Sequence, residues 1–375
     1  MLNPASFYNE LQKREIEFFC GVPDSLLKDI CAYITDNVPA NKHIITANEG
    51  NAVALAAGYH MATEKIPVVY MQNSGLGNTV NPLLSLSDEK VYQIPLLLLI
   101  GWRGEPGVKD EPQHNTQGEV TIDLLKAMKI PHEILSLNPE EFKDQLDSVI
   151  SKVQKTNQPV ALLVRKGTFE KYSIKNSIKP THSLLREDAI KTIVDCLEET
   201  DVIVSTTGKT SRELFEYRKA LGHPHHSDFL TVGSMGHSSQ IALGIALSKP
   251  NANIVCLDGD GALLMHTGGM AIIGDQEPAN LLHIVINNGA HESVGGQPTV
   301  GFKTDFISMA KASRYKNAQS VSSIKEITNA LVQLKGNGPS LLEIKVNVGS
   351  RDDLGRPTIK PVDNKIDFMQ NLKKL

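Results

Sequence analysis

The chain lacks any apolar run long enough to cross a bilayer, and its longest, Ile94 to Trp102, has only the length of a strand. Its opening residues lack the succession of basic, apolar and small residues that marks an export signal, so a cytoplasmic location is expected. Cysteine is scarce: Cys20, Cys31, Cys196 and Cys256 are scattered through apolar or amphipathic stretches without metal-like pairing. Reduced thiols are expected in place of a disulfide framework. Nor does one sign of charge dominate, because the net charge of -4 comes from interspersed acids and bases. That balance excludes a broad nucleic-acid surface and a basic membrane-binding face, and leaves any anionic ligand to a local site. The cluster His223, Pro224, His225, His226 has no accompanying Cys and no familiar ligand spacing, and reads as a solvated loop.

What is present is the material of two ordinary domains: 375 residues, 41% apolar and 21% charged. Short apolar runs alternate with amphipathic helical patterns, the signature of an α/β protein on parallel sheets. Strands are predicted near Ile44 to Ala47, Ile66 to Gln72, Ile94 to Trp102 and Pro159 to Arg165. A second series follows near Val202 to Ser205, Phe229 to Val232, Ile254 to Leu257, Leu281 to Asn287 and Leu341 to Val346. Between the series lies a polar stretch, Phe169 to Ser183, which contains Pro180 and reads as a linker. The expected division is residues 1–170, a linker at 171–184, and residues 185–375. Both halves end with an amphipathic helix, Glu140 to Lys155 or Ile324 to Lys335, followed by a strand introduced by Pro159 or Pro339. The common ending points to a duplication.

The most specific signal joins Asp258-Gly259-Asp260-Gly261-Ala262, just after one strand, to Asn287-Asn288-Gly289-Ala290 at the end of the next. One helix-strand excursion separates Asp260 from Asn288, which places both at carboxyl ends of parallel strands, where open α/β sheets bind ligands. An Asp, an Asn, a backbone carbonyl and a diphosphate are the oxygens that magnesium prefers. Glycines here let the backbone approach phosphates, and the next helix offers amide groups.

This pair of segments resembles the cofactor motif of the thiamine-diphosphate dependent 2-oxo acid decarboxylases. The resemblance implies two thiamine-diphosphate-binding folds, a pyrimidine-binding domain first and a diphosphate-binding domain second, each a mostly parallel sheet flanked by helices. It makes Asp260, the Asn288 side chain and the Ala290 carbonyl ligands of Mg2+, and gives the amides of Ala262 and Leu263, after Gly261, to the diphosphate. Ala262 and Ala290 stand where many relatives have Ser and Gly, which removes a hydroxyl contact and leaves the backbone contacts. Gly233-Ser234-Met235-Gly236 is similar to the family's turn beneath the cofactor, with Met235 as the bulky residue. Asn73-Ser74-Gly75-Leu76-Gly77-Asn78 resembles its glycine-rich turn. Glu49, after a strand and opening a helix, matches the glutamate that hydrogen-bonds the pyrimidine and promotes the tautomer that deprotonates the thiazolium carbon.

The family's middle domain is missing, which narrows the resemblance to short decarboxylases acting on phosphonopyruvate or sulfopyruvate. Decarboxylation of phosphonopyruvate to phosphonoacetaldehyde and carbon dioxide is the activity implied, with sulfopyruvate decarboxylation or a carboligating synthase as alternatives. Glu49 and the diphosphate motif lie in different domains, and the resemblance implies an active site between subunits, hence a homodimer or larger assembly. Neither a nucleic acid nor a membrane is expected as a partner.

Three further segments bear on an anionic substrate. Asp24 and Ser25, with Lys28 nearby, precede a helical stretch and serve either as a cap or as an anion site. Arg103 either pairs with a phosphonate or makes an ordinary ion pair. His114, in the polar loop Asp110 to His114, and His291, beside the metal motif, are either solvated or candidate proton carriers.

Overall fold

The computed structural model describes residues 1–175 and 181–375; the Pro180 of the expected linker and the four residues before it lie outside the described set. The chain divides into two compact units, Met1–Ser177 with Ser293–Gln297, and Ile178–Glu292 with Pro298–Leu375. On the near side of that stretch, Asp36 Oδ2 accepts from the Tyr172 hydroxyl and the Lys175 amide. On the far side, Asn347 Oδ1 accepts from the amides of Thr181 and His182.

The first unit contains β1 (Phe19–Gly21), β2 (His43–Ile45), β3 (Val68–Gln72), β4 (Leu97–Gly101), β5 (His132–Ile134) and β6 (Val160–Val164). All pair in parallel, in the order β2-β1-β3-β4-β6-β5. Helices cover both faces, so β4 and β6 are buried along their whole length and read in sequence as unbroken apolar runs. On one face Phe142, Leu146, Val149 and Val153 of the helix Glu141–Thr156 join Phe7, Phe19 and Leu162 in the core.

The second unit holds β7 (Val202–Ser205), β8 (Asp228–Leu230), β9 (Ile254–Gly259) and β10 (Leu281–Asn287). Two two-residue strands, β11 (Ala290–His291) and β12 (Gln297–Pro298), precede β13 (Asn317–Val321) and β14 (Ser340–Lys345). Its parallel six-stranded sheet runs β13-β14-β10-β9-β7-β8. Taken from the opposite edge and in chain order, this is the same order as in the first unit. The helix Ile324–Leu334 supplies Ile327, Ala330, Leu331 and Leu334 to one face, in the position that Glu141–Thr156 has in the first unit.

Several elements differ from the sequence reading. β1, β5 and β13 are additional strands; β1 is three residues long, while β5 and β13 are sheet edges whose side chains are mostly half-buried and polar, so neither carries an apolar run. β8 starts earlier than expected, at Asp228, a fully buried carboxylate made compatible with a strand by Arg218, which donates to both its oxygens at 3.1 and 3.2 Å. Asn73 to Asn78 is a turn only at its start: one 3-10 turn, Asn73–Gly75, runs into the helix Leu76–Pro82. His114 is not in a loop: Pro112, suited to a helix's first position, opens the helix Pro112–Ala127, which includes it. Among the described residues no helix is long and apolar enough to cross a membrane, and the cysteines are unpaired.

The helix carrying His114 is seated by two glycines. A Cβ on Gly118 would stand 1.7 Å from the Gly104 carbonyl oxygen, and Gly104 itself has φ +68 and faces the His114 carbonyl. Gly118→Ala is therefore expected to destabilise the protein by about 1–3 kcal/mol, since neither contact atom is a movable side-chain end. Unfolding in denaturant checks this; an unchanged midpoint would show that the two backbones are free to separate.

Candidate active site

In the first unit β2, β1, β3 and β4 are neighbours, so the residues leaving their carboxyl ends meet along one edge. Glu49 leaves β2 at the start of the helix Glu49–Thr63, whose N-cap Asn48 accepts from the Asn51 amide. Its side chain is 5% exposed, and Oε2 accepts from Asn78 Nδ2 at 2.7 Å. A Cβ on Gly75 would stand 2.4 Å from Glu49 Oε1. The glycine in the segment after β3 is thus needed where the chain passes the carboxylate. Asn73, from the same segment, ties down the exit of β4 by donating to the Arg103 carbonyl and accepting from the Arg103 amide.

Asp24 follows β1 and is fully buried. Its Oδ2 accepts from the amides of Leu26 and Leu27, and its Oδ1 from Gln72 Nε2 at 2.6 Å. Asp24 closes the turn before the helix Lys28–Asn37 and does not cap that helix, whose N-cap residue is Leu27, without a side-chain cap hydrogen bond; burial raises the Asp24 pKa, partly offset by the Gln72 hydrogen bond. Ser25 differs. Its hydroxyl accepts from Arg103 Nη1 at 2.7 Å, while Nε and Nη2 of Arg103 fork onto Asp110. Against burial, which opposes ionisation, this fork and the amides of Glu111 and Gly104 hold the Asp110 carboxyl well below the usual range. Asp110 and Ser25 engage three of the five guanidinium N–H groups, which leaves two for another acceptor. His114 is buried, and its Nδ1 has no hydrogen-bond partner. Burial, then the charge of Arg103, lowers its pKa.

In the second unit β9 and β10 are neighbours, and Asp260 and Asn288 stand just past their carboxyl ends. Asp260 is 2% exposed, and burial pushes its pKa up to about 6 despite hydrogen bonds from Thr299 and nearby amides. Among the described residues no Lys, Arg or His side chain pairs with it. Asn288 is 5% exposed; its Oδ1 accepts from the Ala290 amide and its Nδ2 donates to Glu292. Gly261, Ala262 and Leu263 form the buried first turn of Asp260–Met265. The turn Gly233 to Gly236 reaches that helix: a Cβ on Gly236, whose φ is +87, would lie 2.9 Å from the Ala262 carbonyl. A Cβ on Gly261 would stand 3.4 Å from Met235 Cε and 3.2 Å from His291 Nδ1, so Met235 and His291 converge on Gly261. His291 is partly buried, and burial takes its pKa down to about 4.

Two groups escaped the sequence reading. Thr299 donates to Asp260 Oδ2 from a loop far along the chain, and Glu292 holds Asn288; a lone Thr or Glu in a polar loop carries no signal of either contact. Other clusters are structural. His283 bonds Tyr315 at 3.2 Å and Asp258 at 3.4 Å inside the sheet, beside the buried Cys256. His225 stacks on Phe215 with ring centroids 4.1 Å apart.

A buried carboxylate without a cation, a carboxamide and a neighbouring carbonyl form an oxygen-only donor set that suits a hard divalent ion, and a bound ion would offset the charge of Asp260. Gly261 and Ala262 put little side-chain bulk on the first turn of this helix, whose backbone amides are the groups that suit a phosphate. These residues fit a metal-diphosphate group, and Glu49 fits a partner for a heterocyclic nitrogen. Residues 5–127 match the model for "Thiamine pyrophosphate enzyme, N-terminal TPP binding domain", and residues 206–344 match its C-terminal TPP binding domain. The chain belongs to the thiamine pyrophosphate enzymes. It is 32% identical to the phosphonopyruvate decarboxylase of Streptomyces viridochromogenes, over 97% of this chain and 93% of that one. It is 27% identical to the sulfopyruvate decarboxylase of Methanosarcina acetivorans, over 89% of each. The separate beta and alpha subunits of the Methanocaldococcus jannaschii sulfopyruvate decarboxylase match 50% and 44% of the chain at 32% and 34% identity. Within its family the chain is a carboxy-lyase, a 2-oxo acid decarboxylase that uses thiamine diphosphate.

With both pKa values lowered by burial, each candidate imidazole is expected to be neutral at pH 7, with one N–H and one lone pair. In an NMR titration of the cofactor-free protein, His291 should titrate near pH 4 and His114 below 6.5. A midpoint at or above 6.5 for either would remove burial as the controlling influence on it.

Proposed function

We propose that the protein decarboxylates phosphonopyruvate to phosphonoacetaldehyde and carbon dioxide with thiamine diphosphate and Mg2+. The observation that carries the substrate is the Arg103–Ser25 pair, which stands on the same strand-end edge as Glu49 and has two guanidinium N–H groups left for an anion. A phosphonate offers oxygens suited to such a fork. Similarity to phosphonopyruvate decarboxylase over nearly the whole chain supports the same reading. When bound, thiamine diphosphate supplies the carbon nucleophile and the electron sink that decarboxylation of a 2-oxo acid requires.

The residues have distinct tasks. Asp260, Asn288 and the Ala290 carbonyl hold Mg2+, while the amides of Ala262 and Leu263 receive the diphosphate. Gly233 and Met235, in the turn that reaches the helix Asp260–Met265, would support the cofactor, and Gly261 would add no side-chain bulk to its approach. Glu49 hydrogen-bonds the pyrimidine. His114 and His291 are the groups able to carry the proton that replaces carbon dioxide. Asp24 acts indirectly, by fixing the turn that presents Ser25. The domains are a pyrimidine-binding domain, residues 1–170, and a diphosphate-binding domain, residues 185–375, and they complete the catalytic centre between copies of the chain. A homodimer is then the smallest active assembly. Sulfopyruvate is the competing substrate, since the second relative is named for it.

Incubating the purified protein with thiamine diphosphate, Mg2+ and either phosphonopyruvate, sulfopyruvate or pyruvate, and identifying the aldehydes, tests the assignment. Faster turnover of sulfopyruvate would overturn it. Glu49→Gln should keep cofactor binding and lose most turnover, because an amide cannot replace the carboxylate; turnover near that of the parent removes Glu49 from its role. Arg103→Ala and Ser25→Ala should each lower kcat/KM for phosphonopyruvate on the order of tenfold or more, and for pyruvate far less, since a charge-assisted hydrogen bond contributes about 1.5–3 kcal/mol. Equal losses on both substrates would mean general damage to the site.

A further inference from the structure

A carboxamide has two ends that differ chemically, and only one of them binds a cation. Asn288 Nδ2 donates to Glu292 Oε2 at 2.9 Å, and Oδ1 accepts from the Ala290 amide at 3.1 Å. An ionised carboxylate only accepts, so Glu292 is satisfied by one amide orientation and repels the other. Glu292 itself is clamped by two cations, Arg186 Nη1 on Oε2 at 2.6 Å and Lys209 Nζ on Oε1 at 3.1 Å. Each clamp is secured from behind. Arg186, 5% exposed, forks through Nε and Nη2 onto the buried Glu213, both at 2.7 Å, and Lys209 also donates to Ser350 Oγ at 2.7 Å.

The clamp is rigid for a structural reason. Arg186 begins the helix Arg186–Cys196, Lys209 begins the helix Lys209–Ala220, and Glu213 stands one turn further along the second. Two helix starts therefore close on one carboxylate four residues past Asn288. Every charge in the group of Arg186, Lys209, Glu213 and Glu292 has an opposite partner, so the cluster tolerates burial. The Arg186–Glu213 fork is complete without Glu292. What Glu292 adds is an acceptor facing Asn288.

We propose that Glu292, held by Arg186 and Lys209, is the positioning residue that fixes the Asn288 carboxamide with Oδ1 available to the metal. This rests on the reading of Asn288 and Asp260 as metal ligands. Partners that orient a ligand from behind contribute about 10- to 100-fold in metal affinity. Gln at position 292 presents both a donor and an acceptor, and meets either orientation of Asn288. Asp keeps the charge for Arg186 and Lys209 but is one methylene shorter and withdraws from Asn288.

The test is a titration of the protein with Mn2+ in the presence of thiamine diphosphate, with free Mn2+ read by electron paramagnetic resonance. Glu292→Gln and Glu292→Asp, each checked for an unchanged melting profile, should bind Mn2+ on the order of tenfold more weakly. In an Asn288→Ala background the Glu292→Gln change should add nothing, because the residue it orients is gone. Folded Glu292 variants with the parent's Mn2+ affinity, or losses that add independently of Asn288, overturn the proposal. Asp260→Ala separates the two levels. If it binds Mn2+ as tightly as the parent, the metal-site reading itself fails; if it loses Mn2+ while the Glu292 variants keep it, only the positioning role fails.

Discussion

Both sheets are parallel and covered by helices on both faces, and this constraint governs where chemistry can occur. A strand buried on two faces has no side chain to spare for a ligand along its length. Polar groups that are not locked into the core are confined to the strand ends, and in parallel sheets the carboxyl ends share one edge. Glu49, Asp24, Gln72 and Arg103 leave four adjacent strands of the first sheet, and Asp260 and Asn288 leave two adjacent strands of the second. The shared strand order of the units means that both edges are built by one topology.

The two edges differ electrostatically. Around Arg103 the protein supplies its own countercharge: Asp110 is ion-paired with it, and Ser25 accepts one further N–H, with two left over. Around Asp260 the described residues supply hydrogen-bond donors only, and burial raises the carboxyl pKa. A buried carboxylate left with amides and a hydroxyl is costly as an anion and well matched to an added cation. The first arrangement is already organised without ligand; the second gains most from one.

The sequence made legible what is local. That Asp260 and Asn288 stand at strand ends could be read because each follows a strong strand, although two helices, Asp260–Met265 and Gly268–Gln276, and not one, lie between those strands; that Glu49 opens a helix could be read because a strand precedes it. The central strands could be read because they are buried on both faces. β5 and β13 could not, since edge strands with polar side chains have no such pattern. Long-range pairing was equally hidden. Nothing near Gly75 announces that it packs on Glu49, and nothing near Thr299 announces Asp260, because those contacts arise only when separate crossovers return to one edge. Asp110 and Arg103 are close in sequence, yet nothing in the polar stretch before Pro112 announces the fork between them.

The same distinction bears on substrate choice. On the proposed reading, since Arg103 is already matched by Asp110, its remaining N–H groups would act on a ligand through direction more than through net positive charge. On the proposed reading this separates phosphonopyruvate from pyruvate well, because pyruvate has no acceptor to place there. Sulfonate and phosphonate both present tetrahedral oxygens, so directional contacts treat them alike. Their remaining difference is charge, which a guanidinium already paired with a carboxylate registers weakly. Discrimination between those two must then come from groups other than this pair.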